Sequence, residues 1–143
     1  MSTTDNSTPA GQSLVPWGYT LIRIALGLIL LPHGYAKLFL NDAAPTSRHF
    51  AQWGWAYPLA WAYLIGALEF FGGLLLALGL FTRVVAIAFV LEMAVISFAV
   101  LYPTWDWGHH GMEYSFLMGL VALGLALGGG GPYSLDRRIG LRF

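Results

Sequence analysis

Six ionisable side chains lie inside long apolar stretches or at their edges. Arg23 falls within Leu21–Leu31, and His33 and Lys37 lie just past it. Glu69 falls within Pro58–Phe81, Glu92 within Val84–Tyr102, and Glu113 heads Met112–Leu127. A charge at a bilayer centre costs roughly 2.5–3.5 kcal/mol on insertion scales. Such residues are expected to face protein and to take partners. Arginine, lysine and histidine donate hydrogen bonds, and carboxylates accept them or carry a proton. The chemistry open to this set is recognition of a polar group inside the membrane, or proton exchange.

Helical spacing orders the set. Arg23, Leu30, His33 and Lys37 fall within about one quadrant of a helix, with Gly34 beside them. Glu69 shares its side with Ala62, Gly66 and Gly73, and small residues mark close helix contact in membranes. Glu92 shares a side with Ala88, Phe89, Ile96 and Ala99, while Glu113 lines up with Leu117 and Gly124. Matching depths across antiparallel helices puts Glu69 and Glu92 near mid-membrane. The expected pairs are Arg23 with Glu69 or Glu92, and Lys37 or His33 with Glu113. Two carboxylates sharing one arginine would leave one of them holding a proton. A quinone or small oxoanion would use Arg23, His33 and Lys37 as donors. The competing reading is a set of buried ion pairs that only fix helix register.

The elements that carry these residues follow from composition. The chain has 143 residues, 57% hydrophobic and only 10% charged. Soluble domains carry about 25% charged residues, so this chain is too apolar for water. Net charge is zero and cysteine is absent. That excludes a basic nucleic-acid surface, disulfides and thiolate metal sites. A spanning helix needs about 20 apolar residues. Four candidates appear: Trp17–Leu40, interrupted near Pro32-His33-Gly34; Tyr57–Phe81; Arg83–Tyr102; and a shorter one from Met112 into the Gly128–Gly131 run. The expected fold is all-α, an integral membrane four-helix bundle over residues 17–131. A polar, disordered tail (1–16) without a cleavable signal precedes it, and a basic tail (132–143) follows. The Phe81-Thr82-Arg83 connection implies a tight hairpin between the second and third helices. Arg83, Arg137, Arg138 and Arg142 on one side outnumber Lys37 and Arg48 on the other, which places both termini in the cytoplasm.

Two further features bear on ligands. His109 and His110, with Asp106 and Glu113 nearby, are weak metal candidates whose spacing matches no zinc or haem signature. The outer loops and helix ends are rich in Trp53, Trp55, Trp61, Trp105, Trp107 and Tyr114, read either as an interfacial belt or as an aromatic mouth for a ligand.

Leu21-Ile22-Arg23 with Gly27, Pro32-His33-Gly34 before Lys37-Leu38-Phe39, and Glu69 with Gly72-Gly73 form a combined pattern. The turn Gly79-Leu80-Phe81-Thr82-Arg83 and Glu92-Met93 complete it. Together they resemble the DoxX family of small membrane proteins, over nearly the whole chain after the tail. The resemblance implies a four-helix protein of the bacterial inner membrane. It also implies a redox-linked role, since some members belong to a thiosulfate:quinone oxidoreductase and others to oxidative-stress complexes. Arg23, His33, Lys37, Glu69 and Glu92 are then the site candidates, quinone the candidate cofactor, and a homo-oligomer or a redox complex in the lipid bilayer the setting. The alternative is a structural or assembly subunit without chemistry. A transporter is disfavoured because four short helices enclose little space.

Overall fold

The computed structural model describes residues 14–141, so residues 1–13 of the expected tail and Arg142 lie outside it. Among the described residues the protein is all-helical. The first span, α1 (Val15–Phe39), is followed by a short α2 (Ala44–Gln52). The second span comprises α3 (Pro58–Ala67), a π turn (Leu68–Gly72) and α4 (Gly73–Leu78). The third comprises α5 (Thr82–Val95) and a π turn (Ile96–Leu101). The fourth is α6 (Glu113–Gly128), and α7 (Leu135–Arg138) ends the described chain. Three spans are long and apolar enough to cross a membrane, and α6 is a shorter apolar helix. Leu21, Leu64, Phe71, Leu91, Phe98 and Leu117 are exposed around the outside. That is the surface a bundle presents to lipid, where only helices and closed barrels satisfy their own backbone.

The α1 helix is not interrupted at Pro32-His33-Gly34, contrary to the sequence expectation; it continues to Phe39. Proline removes one backbone donor, and neighbouring packing carries the helix past it. Gly34 packs directly on Phe70 and Gly66, where an added Cβ would stand 2.6 Å from the Gly66 carbonyl oxygen. Gly27 and Gly73 meet further along, with a Cβ on Gly73 only 2.8 Å from the Gly27 oxygen. These contacts set the antiparallel register of α1 against the second span. They bring Lys37 beside Gly66, and Arg23 beside Gly79 at the turn.

The second and third spans join through a turn in which Gly79 and Phe81 both adopt left-handed backbone. The third span packs along α6, and the second along α1. The core between them holds Leu26, Leu30, Leu76, Phe89, Met93 and Met118. Loop one is not a bare loop. Within it, α2 packs on α3 and buries Phe50. Phe50, Trp55 and Trp61 stack there, with the two indole centroids 4.9 Å apart.

Candidate functional site

A cavity of about 390 Å³ lies between α1, the second span, α5 and α6. Its walls are apolar, with Leu30, Met93, Ile96 and Met118 among them. Polar groups reach its lining from separate elements: His33 from α1, Glu69 from the second span, Tyr114 and Ser115 from α6. Gly108, His110 and Gly111 of the loop before α6 complete its edge. The volume falls within the range of about 300–1,000 Å³ usual for small-ligand pockets.

Glu69 is presented by the π turn Leu68–Gly72, and such turns often occur at functional sites. Its carboxylate accepts from the Lys37 ammonium through both oxygens, at 2.9 and 2.7 Å. The side chains are only 14% and 5% exposed, so the pair is held away from water. Glu92 is 6% exposed and is an electrostatic neighbour of Glu69 and Lys37. Neither Glu92 oxygen makes a hydrogen bond among the described residues. A buried polar group left so costs about 1–3 kcal/mol. Two carboxyls thus face one ammonium beside a void.

This corrects the expected pairing. Arg23 reaches neither glutamate, and Lys37 closes on Glu69 rather than on Glu113. The reason is register: Arg23 lies opposite Gly79, ten residues past Glu69, or about 15 Å along the helix. There it donates to the Leu76 and Ala77 carbonyl oxygens, both at 3.1 Å, and to Tyr133 O at 3.5 Å. Those first two carbonyls belong to the end of α4, where a helix has spare acceptors and negative dipole. Asp136 answers from α7, accepting from the Phe81 and Thr82 amides at 2.7 and 2.9 Å. Arg23 and Asp136 therefore staple the turn. Glu113 is half-buried, and its neighbours Leu117 and Gly124 face outward, so that stripe is not part of the interior. Ala99, expected to share the Glu92 side, also faces outward, because the π turn Ile96–Leu101 rephases the helix.

The two adjacent histidines separate. His109 meets Asp106 at 2.7 Å and is largely exposed, whereas His110 adopts left-handed backbone and lines the cavity. Among the described residues no three metal-binding side chains cluster. Among the described side chains of the aromatic set, Tyr114 lines the cavity, while Trp53, Trp55 and Trp61 cluster with Phe50 at loop one.

Sequence reasoning missed four contributors. Ser115 lines the cavity and its hydroxyl lies 2.8 Å from that of Ser97, bridging α6 to the third span. Met93 and Met118 supply wall, but apolar residues on apolar helices carry no distinguishing signal. Asp136 did carry one, as the only acidic residue in a basic tail.

Comparison with known proteins agrees with this architecture. The family model described as DoxX matches residues 18–101. A Bacillus subtilis (strain 168) protein named "Putative oxidoreductase CatD" is 32% identical over 121 residues, covering 83% of this chain and 84% of its own. A Mycobacterium tuberculosis (strain ATCC 25618 / H37Rv) protein named "Uncharacterized membrane protein Rv3486" is 30% identical over 159 aligned positions, covering 99% of this chain and 96% of its own. No solved structure matches.

Proposed function

The chain belongs to the DoxX family, and on that premise we propose that it is a redox-linked membrane subunit binding a quinone or similar ring. The observation that carries this reading is the cavity beside the Lys37–Glu69 pair. Its apolar walls suit a ring and tail, while His33 and Tyr114 offer donors to carbonyl oxygens. Glu69, held by Lys37, touches the ligand space, and Glu92 stands behind it as a second carboxyl. Together they form a short route for a proton between the bundle interior and the ligand. Electrons come from a partner redox protein in this reading, in keeping with the oxidoreductase name of the Bacillus relative. We place the protein in the bacterial inner membrane with both termini cytoplasmic. Arg83, Arg137 and Arg138 then lie on the inner side, as the positive-inside rule requires.

The test is binding of decylubiquinone to the protein in nanodiscs, followed by native mass spectrometry and tryptophan fluorescence. Wild type is expected to retain the quinone. His33→Phe should weaken retention roughly tenfold, the scale of one hydrogen bond. Met118→Trp, which fills the cavity, should do the same without touching charge. Wild-type retention by both folded variants would sink the reading. An assembly subunit would instead bind no quinone and co-purify with an oxidoreductase regardless of either substitution.

A further inference from the structure

A second cavity, of about 630 Å³, lies at the other end of the bundle. It is bordered by the glycine run Gly128–Gly131, by Arg83 at the start of α5, and by Asp136 and Arg137 of α7. The glycine run is shaped for close approach. Gly129 and Gly131 have positive φ, and a Cβ on Gly130 would stand 2.6 Å from the Thr82 hydroxyl. A Cβ on Gly129 would stand 3.3 Å from Arg83 Nε, so the guanidinium lies against the glycine backbone.

The charge in this cavity is unbalanced. Asp136 already accepts from two backbone amides through its two oxygens. Arg83 and Arg137 form no ion pair among the described residues. The Thr82 hydroxyl, fully buried behind the glycines, has no hydrogen-bond partner among the described residues. Two unpaired guanidiniums around a glycine-backbone hollow suit a tetrahedral oxyanion, because arginine forks match phosphate oxygens.

The place of the cavity selects the source. The end of α4, the start of α5 and the end of α6 meet here. Trp17 and Tyr133 stack at 4.6 Å beside it, and Tyr19 packs on Gly128 and Gly131. Aromatic residues of this kind mark headgroup depth. Basic pockets at that depth bind anionic lipid headgroups. We propose that the Arg83–Gly129–Arg137 cavity binds the phosphate of an anionic phospholipid headgroup, independently of the ligand cavity above.

The experiment uses the full chain in nanodiscs of phosphatidylcholine alone or mixed with phosphatidylglycerol. Lipid retained by the released protein is read by native mass spectrometry. Wild type should retain phosphatidylglycerol over phosphatidylcholine, and excess inorganic phosphate should not displace it. Arg137→Gln, on an exposed residue that does not threaten folding, should lower that retention roughly fivefold, as should Arg83→Gln. Arg83→Lys should recover part of the loss. Unchanged retention in the Arg83→Gln/Arg137→Gln double variant would overturn the site. Displacement by free phosphate, with no preference between lipids, would overturn the lipid assignment. Decylubiquinone retention should stay at the wild-type level in these variants, which separates this test from that of the ligand cavity.

Discussion

Arg23 and Glu92 are almost equally buried, at 2% and 6% exposure, yet their polar atoms are partnered to different degrees. Arg23 spends its terminal nitrogens on three backbone carbonyls at the end of α4 and beside α7. Its countercharge Asp136 is equally occupied, by two amides of the same turn. Glu92 has no hydrogen bond among the described residues, and its neighbour Glu69 borders an open cavity. One charge centre is closed by backbone and holds the second and third spans together. The other is left incomplete where a ligand has room. Among the described residues Arg23 leaves only its Nε without a partner, whereas Glu92 leaves both carboxyl oxygens so.

The largest expected effect comes from breaking the backbone-bound centre. Arg23→Leu leaves the Leu76 and Ala77 carbonyls at the end of α4 without their donor, and should cost about 1–3 kcal/mol of bundle stability. Unfolding titrated with sodium dodecyl sulfate measures this. Quinone retained per folded molecule should not change; a loss there with stability intact would mean the two centres act as one.

A smaller and opposite effect sharpens the contrast. Glu92→Leu removes a buried carboxyl set beside a second one, Glu69, so stability in the same titration should hold or rise by about 1 kcal/mol. A fall of more than about 2 kcal/mol would show that Glu92 has structural partners after all. Proton uptake on quinone reduction, followed with a pH dye in vesicles, should slow in the same variant.

The smallest effect belongs to the loop at the cavity edge. Asp106 accepts from the Gly108 amide at 2.9 Å and meets His109 Nδ1 at 2.7 Å. These bonds, the Gly108 amide first, hold its carboxyl below the usual range. With the folded value depressed, the stabilisation is fully present above the unfolded value of about 3.9 and is lost as pH falls through the folded one. Protection of Gly108–Gly111 against hydrogen exchange, taken relative to the intrinsic rate at each pH, should therefore fall at acid pH in wild type. In Asp106→Asn that protection should be lower at neutral pH and should lose its acid dependence. An unchanged acid dependence in the variant would assign it to another group.

Part of the site was legible because it rests on local pattern. The small residues Ala62, Gly66 and Gly73 on the Glu69 side put that carboxyl against protein, and all of them are buried. The partners were not legible. Assigning Glu69 to Lys37 rather than to Arg23 requires the register of α1 on the second span. That register is set by Gly27 and Gly34 meeting Gly73, Gly66 and Phe70, contacts between residues about forty apart in sequence. The hidden helix α2 shows the same limit. Nine residues with one buried phenylalanine give little period to read until α3 and its tryptophans supply the other face.

By itself the sequence determined the solvent and the class: apolar runs of spanning length dictate helices in lipid, because lipid offers no partner for free backbone groups. It also placed Arg23, Glu69 and Glu92 inside, though it missed buried Asp136 and set Glu113 deeper than its half-buried position. Only the tertiary structure decided which of them closes a turn and which borders a cavity. Two π turns rephase their helices, and glycine contacts fix how far one helix slides along another. A cavity is the space left over after that sliding stops, and no local stretch of chain contains it.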